Sequence, residues 1–108
     1  MLAYNVALTQ DAEADLAAIY DYIAEYDCFE NANYVLDELL KTAKNLSHFN
    51  EKCCIPKELL DLGNRDYRQT LFKSYRLIYK IIHQQVVIFL NSDDRRDMQA
   101  LLTRRLLR

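Results

Sequence analysis

A single glycine and a single proline in 108 residues leave no room for a long linker or a disordered segment. One glycine also cannot build a glycine-rich phosphate loop. The chain has no apolar run of about 18 residues, which excludes a transmembrane helix. Its opening Met-Leu-Ala-Tyr-Asn-Val has no charged segment leading into an apolar one, so no secretory signal is expected. The cysteines are Cys28, Cys53 and Cys54. An odd count with two adjacent members makes neither a disulfide framework nor a set of metal ligands. Reduced thiols in a cytoplasmic protein are the expectation. No pair of histidines or cysteines has zinc spacing, and Ser-His-Asp chemistry is not indicated. His48 and His83 fall in predicted loop or turn positions and read as solvated. No metal and no cofactor are expected.

What is present suffices for one ordinary core. With 51% hydrophobic residues, residues 1–108 are expected to form a single domain. The net charge of −2 conceals a division. Residues 1–62 carry twelve acids and four bases, and residues 63–108 carry four acids and ten bases. A half of net −8 therefore precedes a half of +6. Such asymmetry points to an acidic or polyanionic partner on the basic side, or to halves that neutralise each other across the fold.

Ala3 to Leu8 alternates, with Tyr4, Val6 and Leu8 on one face, and reads as a strand that must pair with a later sheet. Thr9 offers an N-cap, and Asp11, Glu13 and Asp15 suit the helix dipole. Ala12, Leu16, Ile19, Ile23 and Tyr26 make one apolar stripe on a helix over residues 10–26. A second helix is predicted over residues 30–46, with its stripe on Ala32, Val35, Leu36, Leu39, Leu40, Ala43 and Leu46. The short connection predicts an antiparallel hairpin that covers one side of a sheet. Tyr20, Tyr22 and Tyr34 sit partly off the stripes, as edge residues or as part of a partner surface. Residues 47–66 are the least regular. Within them, Glu58 to Leu62 suits a helical turn closed by Gly63.

Residues 67–91 are dense in β-branched and aromatic residues, with polar breaks at Lys73-Ser74 and at His83-Gln84-Gln85. They read as three strands in an antiparallel meander, with the turn types open. In the middle strand Leu77, Tyr79 and Ile81 should face the helices, and Arg76 and Lys80 a more open side. Val86 to Leu90, apolar on both faces, suits a central strand covered on both sides. Asp93 or Asp94 is expected to cap a last helix with its stripe on Met98, Leu101, Leu102 and Leu106. The fold class expected is α+β, in the order β-α-α-β-β-β-α: a strand and a helical hairpin on a small antiparallel sheet.

The chemistry left open is cationic. Arg68 and Arg76 flank one hairpin and are expected to approach across the strands. Arg95 leaves the last strand, and Lys80 and Arg96 lie near. Such a group can hold a phosphate or carboxylate through charge-assisted hydrogen bonds. On RNA it could stabilise in-line attack by a 2′-hydroxyl without a cofactor. The other reading is that these cations pair with acids of the two helices.

The segments Tyr67-Arg68, Tyr75-Arg76-Leu77-Ile78-Tyr79-Lys80-Ile81, Val86-Val87-Ile88-Phe89 and Arg95-Arg96-Asp97, placed after a strand and two helices, resemble the RelE/ParE superfamily of bacterial toxins. The likeness covers nearly the whole chain. Ala12 to Ile23, with Asp15-Leu16, also resembles the first helix of ParE-like members. The resemblance implies the toxin of a type II toxin–antitoxin module, with a cognate antitoxin as partner. RelE-like members cut mRNA on the ribosome. Carried over by position, Arg68, Arg76 and Arg95 match three cations of that set. Another basic position falls on Thr70, and the C-terminal tyrosine position falls on Leu101. ParE-like members inhibit DNA gyrase and lack the nuclease set. The long hairpin, the Arg95-Arg96-Asp97 ending and a sequence pI near 5.6 favour that branch. The expected partner surface is Arg68, Arg76, Lys80, Arg95, Arg96, Arg104 and Arg105. A non-toxic binding module of the same fold is the third reading.

Overall fold

The computed structural model describes residues 4–49, 55–60, 63, 65–93 and 97–106. The predicted roles of Cys53, Cys54, Asp94, Arg95 and Arg96 lie outside the described residues. The elements run β1 (Asn5–Leu8), α1 (Gln10–Tyr26), α2 (Phe29–Phe49), α3 (Lys57–Leu60), β2 (Arg68–Phe72), β3 (Tyr75–Ile82), β4 (Gln85–Asp93) and α4 (Met98–Leu106). The fold is α+β in the expected order, with α3 as one added helical turn.

Local chemistry accounts for the ends of these elements. The Thr9 hydroxyl accepts from the Ala12 N–H at 3.1 Å and starts α1. α2 runs to Phe49, so His48 belongs to the last helical turn and not to a loop. Gly63, at φ +80, follows α3 and donates its N–H to the Leu60 carbonyl. Asp97, rather than Asp93, caps α4: its Oδ1 accepts from the Ala100 N–H at 3.2 Å. Asp93 instead ends β4.

The strand order is β1-β4-β3-β2. Strands β2, β3 and β4 form the antiparallel meander, and β1 joins β4 in parallel, so the sheet is mixed. Both hairpins have two-residue loops, with Lys73 at φ 52 and His83 at φ 57. Positive φ at the loop matches the twist of the flanking strands.

Central β4 is covered on both faces. On one side, Leu77, Tyr79, Val86 and Ile88 pack against the inner stripes of α1 and α2. On the other, Ile78 and Leu90 pack with Leu59 of α3 and Met98 and Leu102 of α4. Each fully buried Leu or Ile here contributes roughly 1.5–3 kcal/mol over its exposed state.

A β-bulge sets which residue meets which layer. Ile78 pairs with Leu90 and Tyr79 with Ile88, so Phe89 is the extra residue. Before it, Val86 and Ile88 face the hairpin. After it the alternation is reversed, so Leu90 faces α4 and Asn91 reaches α1.

Candidate functional site

The register separates the predicted cations. Arg68 pairs with Tyr79 across β2 and β3, and Leu71 pairs with Arg76. Directly paired residues share a face. Arg68 therefore takes the hairpin side with Tyr79, and Arg76 takes the opposite side with Ile78 and Lys80. The expected approach of Arg68 to Arg76 does not occur, because the two belong to opposite faces.

On the α3 side, Arg76 Nη1 donates to Glu58 Oε1 at 2.9 Å and to Gln69 Oε1 at 3.3 Å. The two charged side chains are 17% and 19% exposed, so this pair is largely taken out of water. Burial pushes the Glu58 carboxyl up. The hydrogen bond from Arg76, a backbone hydrogen bond and the charges of Arg76 and Lys57 outweigh that and hold it below the ordinary glutamate value. A carboxyl depressed in the fold adds stability that is complete above about pH 4.3, where an unfolded glutamate titrates. That stability is lost as pH falls through the lower folded value. Glu58→Gln should cost about 1 kcal/mol at neutral pH. Its urea midpoint should then fall less than the parent's between about pH 5 and 3. Parallel profiles would show that the Glu58–Arg76 pair does not couple to folding.

Lys80, on the same face, lies 5.6 Å from the centroid of the Tyr67 ring. That ring meets the ring of Phe89, the bulge residue, edge-on at 5.5 Å. Arg104 is exposed on α4. Lys73, which the sequence reading did not single out, stands at the β2–β3 turn, 4.9 Å from the Tyr34 ring centroid and 5.6 Å from that of Phe72. These contacts are cation–π pairs on an accessible surface.

Arg105, expected on a partner surface, is instead the tie between the N- and C-terminal halves. Its Nη1 and Nη2 reach Asp15 Oδ2 and Oδ1 at 2.8 and 3.1 Å, a bidentate fork. Nη1 also donates to the Phe89 carbonyl at 3.1 Å, so the fork secures the bulge. Asp15 Oδ2 further accepts from the Asn91 N–H at 2.9 Å, taking over as acceptor along β4 where β1 has ended. Asn91 Nδ2 donates to the Ala12 carbonyl at 3.0 Å. The hydrogen bond to Asp15 leads in raising the Arg105 pKa further, against partial desolvation and with added charge from Asp15 and Asp11. Asp15 thus serves the sheet and α4 rather than the helix dipole. The pairs Asp15–Arg105, Asp11–Arg105 and Glu58–Arg76 each join the acidic first half to the basic second half, so the halves neutralise one another in part.

Thr70 pairs with Leu77 and shares the hairpin side with Arg68. Leu101 is half-buried against the α3–α4 core. Among the described residues, no group of three or more His, Cys, Asp or Glu side chains could hold a metal ion. No helix among them is long and apolar enough to cross a membrane.

A helical hairpin on one face of a four-stranded sheet, with short helices on the other, accompanies a family match that places the chain in the RelE/ParE superfamily of toxins. Within it, the chain belongs to the family described as the ParE toxin of the type II toxin–antitoxin system parDE, whose model matches residues 6–98. The fold is similar to that of a chain in the chromosomal ParDE toxin–antitoxin system from P. aeruginosa. That likeness has a TM-score of 0.72 at 18% identity and covers 84% of this chain and 96% of the other. It is also similar to a chain in the toxin–antitoxin complex RelBE2 from Mycobacterium tuberculosis, with a TM-score of 0.63 at 23% identity over 86% and 93% of the two chains. No curated protein matches this sequence.

Proposed function

We propose that this ParE-family toxin arrests growth by binding DNA gyrase, and that a cognate antitoxin neutralises it. The observation that carries this reading is the placement of Arg76. A nuclease acting by electrostatic stabilisation needs cations aimed together at the developing charge on the scissile phosphate. Here the Arg76 guanidinium is engaged by Glu58 and Gln69, and Arg68 belongs to the other face of the sheet. Thr70 and Leu101 add no acid or base. An arrangement of this kind favours binding over cleavage. The proposed binding surface is Lys80 and Arg104, with Arg95 and Arg96; Arg68 belongs to the other face of the sheet, Arg76 is engaged by Glu58 and Gln69, and Arg105 serves the fold. The antitoxin is inferred from the family and from the similar proteins, which were solved as toxin–antitoxin systems.

Expression of the chain without antitoxin should stop growth and induce the DNA-damage response, while transcripts stay intact. Arg76→Ala should keep the arrest, with its fold checked by circular dichroism. Transcripts cut only where ribosomes are present, with the cutting abolished by Arg76→Ala, would favour the RelE-like alternative. Undisturbed growth would favour a non-toxic binding module.

A further inference from the structure

The C-terminal end of α1 is short of positive charge. Peptide dipoles place the equivalent of about half a negative charge at such an end, where a Lys, Arg or His usually offsets it. α1 has no basic residue in its last turn. It closes instead on Asp27, whose Oδ2 accepts from Asn31 Nδ2 at 2.7 Å. Two large rings stand beside this end. Tyr22 and Tyr26 are 63% and 71% exposed, with centroids 4.8 Å apart and planes inclined at 43°. Rings so exposed contribute little to the core.

These tyrosines border a groove of about 750 Å³ between α1 and the end of the β3–β4 ladder, with Tyr75 and Asp93 also in its lining. Among the described residues its lining includes the carboxylates of Asp27, Asp93 and Asp15, the last already held by Arg105, and no Lys, Arg or His. At its base, Asn91 is 3% exposed. Its Oδ1 has no hydrogen-bond partner among the described residues. The groove therefore offers carboxylates, an amide oxygen and aromatic faces. A guanidinium complements all three: it stacks on a ring, forks onto a carboxylate and carries five N–H donors. An ammonium meets the charge but not the stack.

We propose that this groove docks an arginine side chain of the antitoxin, held by the Tyr22 and Tyr26 rings and the carboxylates of Asp27 and Asp93. Charge complementarity selects the occupant. The proposed gyrase surface is basic and includes the α4 side of the sheet, so an arginine-bearing partner finds its complement at this acidic, tyrosine-lined place. The identity of the partner rests on the toxin–antitoxin reading.

Titration of the intact protein with N-acetyl-L-argininamide, followed by NMR, tests the chemistry. The probe should shift the ring signals of Tyr22 and Tyr26 and the amides of Asn91 and Asp93 along one saturating curve. The citrulline and leucine analogues should bind at least tenfold more weakly. The double variant Tyr22→Leu/Tyr26→Leu, and separately Asp93→Asn, should weaken the arginine probe at least fivefold with unchanged circular dichroism. Equal or tighter binding of the leucine analogue would mean an apolar occupant, and an equal response to the citrulline analogue would remove the role of charge. Shifts spread over the acidic surface would mean a diffuse counter-ion effect. Any of these overturns the proposal.

The purified antitoxin then tests the partner. Changing one of its arginines to alanine should weaken binding to the parent toxin at least tenfold, but leave binding to the double variant unchanged. If none of its arginines behaves so, the antitoxin assignment is wrong. Gyrase inhibition is read separately, so its failure would remove the functional reading without altering the arginine titration.

Discussion

Asp15→Ala should destabilise the fold by about 3 kcal/mol, since removing one member of a buried ion pair leaves the other charge without compensation. Asp15 and Arg105 are only 16% and 21% exposed, and the same carboxylate holds the Asn91 N–H. The change therefore removes the guanidinium's bidentate partner, leaving it Asp11 at 3.8 Å and the Phe89 carbonyl, and deprives the Asn91 N–H of its acceptor. For a domain of this size the loss corresponds to a fall in Tm of roughly 10–20 °C. The double change Asp15→Leu/Arg105→Met removes both charges and should recover much of the loss, because a buried pair exchanged for apolar groups is often near neutral. A double-mutant cycle measured by urea unfolding isolates the coupling. A cost below about 1 kcal/mol for Asp15→Ala would mean that the fork does not secure α4 and the bulge to α1.

Tyr79→Ala should be of similar or larger effect, about 3–5 kcal/mol, through lost burial and the cavity left behind. Tyr79 is fully buried on β3 and belongs to the layer shared with α1 and α2. The same truncation at Tyr22 or Tyr26, both exposed, should change stability by about 0.5 kcal/mol or less. Thermal and urea unfolding of the three variants compare burial directly, with the residue type held constant. A Tyr22→Ala cost approaching that of Tyr79→Ala would show that the exposed rings pack more tightly than their accessibility indicates.

Elements with strong periodicity were legible. α1 spans Gln10–Tyr26, as its 4-3-4-3 apolar spacing implies, and the three β-strands of the meander are divided from one another at the two polar breaks. Contacts between distant segments were not. Nothing in Asn5–Leu8 tells that this strand lies parallel to β4. The bulge at Phe89 leaves no mark either, because Val86 to Leu90 is apolar throughout and a reversal of alternation changes no residue class. Asp15 sits near a helix start, where an acid already has a local reason to be, so its long-range tie to Arg105 stays hidden. The cation cluster failed for a related reason. Arg68 and Arg76 look close along the hairpin, but the register through Arg68–Tyr79 and Leu71–Arg76 gives them opposite faces. The groove had one trace in the sequence, tyrosines at positions 22 and 26 with an acid at 27 and no base nearby. Their meaning depended on the end of β4 arriving beside them.

The functional reading turns on whether the basic surface binds an enzyme or cuts RNA. Supercoiling of relaxed plasmid by purified DNA gyrase, with increasing amounts of the refolded toxin, tests it most directly. Supercoiling should stop at toxin concentrations near those of gyrase, and adding the antitoxin beforehand should restore it. Full supercoiling in the presence of a large excess of folded toxin would contradict it.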